Sequence, residues 1–160
     1  MMRRFARLRR AQDGFTLIEL MVVVLILGIL VAIALPTFLG ARSRSQNSAA
    51  KASVRTALAA GRILFSTDQD GYLNVTGPRL TEIENSILWL PAASLSNEPT
   101  TVSWDNTAGI LTLAAYSKAG NCFYLEDDPP NDTQYAVLED VPSTNCTAAN
   151  SGAAIFGPSW

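Results

Sequence analysis

Histidine is absent from this 160-residue chain, which excludes His-based triads, His-ligated metal centres and imidazole acid–base chemistry. No nucleophile motif, no Gly-rich phosphate loop and no interleaved aromatic and basic patch takes its place. Basic side chains are in the minority over most of the length. Residues 1–14 hold five arginines (Arg3, Arg4, Arg7, Arg9, Arg10) against Asp13, whereas residues 15–160 carry 7 basic and 13 acidic groups. A basic tip therefore precedes an acidic body, which argues against a nucleic-acid-binding surface. The length is that of one small domain.

What the chain does have is one long apolar block. Twenty of the 25 residues from Phe15 to Leu39 are hydrophobic, and Phe15–Leu35 contains a single charge, Glu19. As a helix that run extends about 31 Å, the hydrocarbon thickness of a bilayer. A lone span must be an internally hydrogen-bonded helix. The five preceding arginines orient the N-terminus toward the cytoplasm, although Arg42, Arg44, Lys51 and Arg55 follow the other end. A cleaved secretory signal fits less well, because its apolar core is roughly 7–15 residues and precedes a small-x-small site. Here the core is longer, Pro36–Gly40 is no such site, and Ala32-Ile33-Ala34 is only an internal match.

A lone carboxylate in a span costs about 2.5–3.5 kcal/mol on insertion scales and demands a partner or a proton. No basic side chain within the span supplies one. Two readings of Glu19 stand. Four residues into the span, it is hydrated among the cytoplasmic headgroups; or a positive charge reaches it from another molecule. A free α-amine at Phe15 of an axially staggered neighbour would serve. A buried pair of that sort fixes register more than it adds stability.

Gly14-Phe15-Thr16-Leu17-Ile18-Glu19-Leu20 resembles the class III leader junction of type IV prepilins and type II secretion pseudopilins. The family pattern is a short basic leader, Gly before the cut, an aromatic first mature residue and Glu at the fifth. All four are present. Gly28 and Pro36 fall where pilins of this family keep a helix-softening Gly and Pro, while Asp13 departs from the Lys that many relatives carry. The resemblance implies that a prepilin peptidase cuts between Gly14 and Phe15 and methylates the Phe15 amine. It implies that residues 1–14 are lost and that residues 15–39 are first a membrane anchor and then a filament core. The implied partners are further copies of the chain, the peptidase, the inner-membrane pilus assembly machinery and the membrane, with no cofactor. The implied location is the cytoplasmic membrane, with the N-terminus inside, and then the cell surface. A helix apolar around its circumference can face lipid first and sibling helices afterwards. Gly28 and Pro36 are also ordinary in membrane helices. Pro36 predicts a kink or local melting near Ala32–Pro36.

Beyond the span the helical signal continues. Ala41–Phe65 holds seven alanines, no proline and only Gly61 as a breaker. Ala50, Val54, Leu58, Gly61 and Phe65 form one apolar face with Ala57 and Leu64 beside it, while Arg42, Arg44, Lys51, Arg55 and Arg62 largely avoid it. One helix from Phe15 to about Phe65 is predicted, near 75 Å long. Its 40–67 half is amphipathic, and Gly71 is the expected stop. Asp68-Gln69-Asp70-Gly71 superficially matches a calcium loop, but the twelfth position is Arg79, so turn chemistry explains it.

From residue 85 the period moves toward two. Ile87–Leu90, Thr101–Trp104, Ile110–Ser117, Cys122–Leu125 and Gln134–Glu139 read as strands, with Asp105–Gly109 a hairpin loop. Pro91, Pro129-Pro130 and Pro142 set boundaries. The expected fold is α+β: the long N-terminal helix packed on a small antiparallel sheet formed by residues 68–160.

On this topology Cys122 and Cys146 lie outside the cytoplasm, where an oxidising compartment favours a disulfide. Many pilins likewise pin a C-terminal loop with two cysteines. A reactive thiol pair has nothing to support it. Within that loop Glu126, Asp127, Asp128 and Asp132 form an acidic group, with Glu139-Asp140 beyond. A solvated, self-repelling loop accounts for it; a calcium site of the kind used by major pseudopilins is the weaker alternative, and no metal is expected. Asn74-Val75-Thr76, Asn131-Asp132-Thr133 and Asn145-Cys146-Thr147 match the glycosylation acceptor pattern, a weak signal. Three functions follow in order of support: a type IV pilin, a pseudopilin of a secretion or competence system, and a catalytic or receptor domain on an uncleaved anchor. The last has no chemistry to carry it.

Overall fold

A computed structural model describes residues 14–68 and 71–160. The five N-terminal arginines, Asp13, Gln69 and Asp70, and with them the expected leader and part of the expected helix stop, lie outside the described residues. The chain divides into two units after Leu39.

Helix α1 spans Leu17–Thr67. Residues 17–39 bury nothing: every side chain in this stretch is exposed. The helix continues through Pro36, so of the kink or local melting expected near Ala32–Pro36 the melting does not occur. Proline forfeits one backbone hydrogen bond there, and the flanking turns hold. The Thr37 hydroxyl donates to the Ala34 carbonyl at 2.9 Å.

In the second unit, α1 supplies Ala50, Val54, Ala57, Leu58, Ala60, Gly61 and Leu64 to the core; Ala60 joins the predicted face, and Phe65 packs against it only partly buried. The helix ends at Thr67, ahead of Gly71. Gly71, with φ +64°, instead opens a 3-10 turn over Gly71–Asn74. Arg79 clamps this corner. It holds both oxygens of Asp68 and donates to the Asn74 carbonyl at 3.0 Å. The sequence reading assigned no element to the next segment, where a short helix, α2, spans Gly77–Ile83. Pro78 in its first turn is the usual signal for a helix start, and Leu80 is its buried anchor.

Five strands follow: β1 Leu88–Pro91, β2 Thr101–Asp105, β3 Leu111–Ser117, β4 Asn121–Asp127 and β5 Gln134–Leu138. They form one sheet in sequence order. β2 through β5 pair antiparallel, with Leu113 opposite Leu125 and Phe123 opposite Val137. The long helix on a small antiparallel sheet is the expected α+β fold, and β1 adds one parallel pairing at its edge, Trp89 beside Val102. A parallel pair ordinarily needs a crossover of roughly a dozen residues or more. Residues 92–100 manage it because Ser96 is fully buried and bonded on every side. Its amide reaches Cys146 O at 2.9 Å, its hydroxyl reaches Thr101 O at 2.6 Å, and the Tyr116 amide donates to that hydroxyl at 2.9 Å.

The sheet is buried on both faces. Leu111, Leu113, Ala115, Phe123 and Leu125 pack with α1, Tyr72, Val75 and Leu80. Ala114, Cys122, Tyr124 and Ala136 pack beneath Cys146, Ala148 and Phe156 of the C-terminal segment. That segment then rounds the sheet edge. Tyr135 and Gly157 exchange both backbone hydrogen bonds, at 2.7 and 2.9 Å. The Trp160 indole N–H donates to Ala136 O at 2.9 Å and Tyr124 O at 3.2 Å. Its ring meets Phe123 and Tyr135 edge-on, with Lys51 and Arg55 of α1 over its face.

Candidate functional site

The apolar unit presents an uncovered hydrophobic surface. Monomeric soluble proteins rarely expose contiguous apolar patches larger than a few hundred Å², yet Phe15 is 87% exposed and Leu17, Ile18, Leu20 and Met21 each exceed 60%. α1 is long and apolar enough there to cross a membrane. Phe15, Ile18, Glu19, Val22 and Val23 line one shallow groove on its surface.

Glu19 has a local function that the sequence reading missed. Thr16 precedes the helix. Its amide donates to Glu19 Oε2 at 3.0 Å, its hydroxyl donates to the same oxygen at 2.8 Å, and the Glu19 amide returns a bond to Thr16 Oγ1 at 3.3 Å. This is a capping box, and Thr-x-x-Glu ahead of an apolar run was its legible signal. Among the described residues no Lys or Arg forms an ion pair with Glu19. Gly14 and Gly28 have open space where a Cβ would stand.

The structure takes Asp127 out of the acidic group. Its side chain is fully buried on β4. Arg62 Nη2 donates to Oδ1 at 2.7 Å and Nε to Oδ2 at 3.2 Å, the Thr133 hydroxyl donates to Oδ1 at 2.6 Å, and the Tyr72 hydroxyl donates to Oδ2. Burial opposes its charge, but the hydrogen bonds from Arg62, Thr133 and Tyr72 outweigh that and hold the carboxyl below its ordinary range. Burial and the same carboxylate push the Tyr72 phenol up. With its oxygens committed, Asp127 is no calcium ligand. Glu126, Asp128 and Asp132 remain, around a small concavity shared with Asn131 and Gln134. Among the described residues, no group of three or more His, Cys, Asp or Glu is placed to hold a metal.

Cys122 and Cys146 are joined, with Cα atoms 5.5 Å apart and a sequence separation of 24. Both are fully buried. The bond ties the start of β4 to the segment that covers the outer sheet face.

Residues 9–35 match the Prokaryotic N-terminal methylation motif family. The chain is 45% identical to the type IV major pilin protein PilA of Myxococcus xanthus over 69 residues, 43% of this chain and 31% of that protein. It is 42% identical to the type II secretion system core protein G of Pseudomonas aeruginosa over 64 residues, 40% of this chain and 44% of that protein. The chain thus spans less than half the length of both these relatives. A Moraxella bovis type IV major alpha-pilin is 49% identical over 118 residues, covering 68% of this chain and 72% of that protein. No solved structure matches. With its N-terminal methylation motif, its uncovered apolar helix and a relative matched over most of both lengths, the chain belongs to the type IV pilin and pseudopilin superfamily.

Proposed function

We propose that the chain is a structural, non-enzymatic subunit of a type IV pilus, processed between Gly14 and Phe15, methylated at the Phe15 amine and polymerised through α1. The observation that carries this reading is the exposure of every side chain from residue 17 to residue 39, interrupted by one carboxylate. Lipid satisfies that surface before assembly and sibling helices satisfy it afterwards. Glu19 is the register group. The methylated amine of a neighbour's Phe15 supplies the charge that the span lacks and draws the incoming helix into step. Gly28 and Pro36 soften the helix for that change of surroundings. The subunit is first a single-pass cytoplasmic-membrane protein with its N-terminus inside, served by the prepilin peptidase and the inner-membrane assembly machinery. It then moves to the cell surface.

A second reading, as a pseudopilin, is favoured by the likeness to the secretion core protein G. N-terminal peptide mass spectrometry on protein sheared from the cell surface separates the two. A peptide beginning at Phe15 with one added methyl group is expected in the sheared fraction. The same peptide confined to membranes selects the pseudopilin, and an intact Met1 terminus overturns both.

A further inference from the structure

Charge in the second unit is sorted by element. Residues 40–67 of α1 carry five cations, Arg42, Arg44, Lys51, Arg55 and Arg62, and no carboxylate; residues 68–160 carry 12 acidic groups against Arg79 and Lys118. The fold neutralises this only in part. Arg62 holds Asp127, Arg79 holds Asp68 and Lys118 holds Glu98. Lys51 and Arg55 lie on aromatic faces. Arg42 and Arg44 are exposed and form no ion pair among the described residues.

The sorting is also axial. β4 runs alongside α1 in the same direction: Asn121 meets Asn47, Phe123 lies under Lys51, and Asp127 meets Arg62. Glu126, Asp128 and Asp132 are therefore level with Arg62 and the end of α1. Arg44 lies 18 residues earlier in the helix, about 27 Å down its axis. Between the two ends the outward face of α1 is smooth. Ser45, Ser48, Ala49, Ala52, Thr56 and Ala59 are all exposed and all small. A surface of this kind admits a second backbone closely and offers no carboxylate to repel an acidic one.

We infer that the outward face of α1 around Arg42 and Arg44 is a docking surface for a second copy of this chain, which presents the β4–β5 turn bearing Glu126, Asp128 and Asp132. The occupant follows from charge. The exposed cations at one end of the subunit meet the concave acidic surface at its other end, a pairing that one copy cannot make with itself across about 27 Å. A head-to-tail contact between unlike surfaces, if it does not close on itself, propagates as a filament. This inference rests on the filament-subunit reading and adds to it a contact outside the apolar segment.

The test uses the full chain in cells. Arg44→Cys combined with Asp132→Cys should give a ladder of disulfide-linked multimers in sheared filaments, and neither single variant should. Arg42→Glu with Arg44→Glu should lower sheared filament yield by about tenfold, through like-charge juxtaposition. Adding Glu126→Lys and Asp132→Lys should bring it back to within about twofold of wild type. Wild-type filaments that show no ladder and no response to charge reversal overturn the contact alone. No filament from the wild-type chain overturns the subunit reading and the contact with it. Loss of the doubly reversed chain from the membrane fraction, before assembly, assigns the two arginines to lipid headgroups and overturns the contact.

Discussion

Arg62 stands on an exposed side of α1, yet its guanidinium grips the fully buried carboxylate of Asp127 on β4 through two hydrogen bonds. Thr133 and Tyr72 close the other approaches, so one carboxylate ties the long helix to the sheet, to the turn after α1 and to the β4–β5 loop. Removing the arginine leaves a buried charge short of its main donor. Arg62→Ala is expected to cost about 2–3 kcal/mol, below the figure for a wholly buried pair because the guanidinium is half in water. Chemical denaturation of the detergent-solubilised chain checks this, and an unchanged midpoint would refute it.

The same carboxylate sets an acid limit. A group whose folded pKa is depressed stabilises the fold above its unfolded pKa, near 3.9 for Asp, and that contribution is lost as pH falls through the folded value. Asp127 is of this kind. Stability of the wild-type chain should therefore fall steeply below about pH 4. Asp127→Asn should begin lower and lose less across the same interval. Parallel pH dependences for the two proteins would place the acid sensitivity elsewhere.

Gly61 and Gly28 occupy the same helix and should respond oppositely to alanine. A Cβ at Gly61 would come within 2.3 Å of Leu111 Cδ2, and Leu111 is fully buried beneath α1. The gain of about 1 kcal/mol in helix propensity competes with about 1–3 kcal/mol of overpacking. Gly61→Ala should destabilise by about 1 kcal/mol, the sign being set by how little the sheet yields. At Gly28 nothing lies within 4 Å, so Gly28→Ala should raise the thermal persistence of helical circular dichroism in detergent.

Legibility in the sequence followed the range of the interactions. Periodicity along a single helix located Ala50, Val54, Leu58 and Gly61, because i, i+4 spacing is a local property. Strand positions 101–104 and 134–138 could be read for the same reason. The parallel setting of β1 could not, since it depends on Ser96 finding Cys146 and Tyr116 across the fold. Asp127 looked like one acid among four because burial is decided by the partner, Arg62, 65 residues away. The capping role of Glu19 was within reach: its signal is three residues long. Trp160 carried no local pattern at all, and only the closed sheet edge gives its indole two carbonyls to reach.

The Cys122–Cys146 bond closes a loop with a sequence separation of 24 residues, and the segment it holds covers the outer face of the sheet. On the chain-entropy account a loop of that size contributes about 3 kcal/mol. Replacing both cysteines by serine should lower stability by about 2–4 kcal/mol, because two hydroxyls are also left in an apolar setting. Hydrogen exchange should then show residues 141–160 opening well before β3 and β4. Uniform loss of protection across the sheet would mean that the C-terminal segment is not a separable layer.

Glu19 offers the sharpest contrast, because its local and intermolecular roles use different properties. The capping bonds from Thr16 need an acceptor oxygen, not a charge. A pairing with a neighbour's amine needs the charge. Glu19→Gln keeps the acceptor and removes the charge, whereas Thr16→Ala removes the hydroxyl and keeps the charge. If Glu19 acts between subunits, the Gln variant should be processed and retained in the membrane while filament yield falls on the order of a hundredfold, the scale of an uncompensated buried partner. Thr16→Ala should lose little beyond a cap, about 1 kcal/mol, and should still polymerise. Equal loss in both variants would reduce Glu19 to a helix cap. Normal filaments from Glu19→Gln would remove the charge from the assembly mechanism altogether.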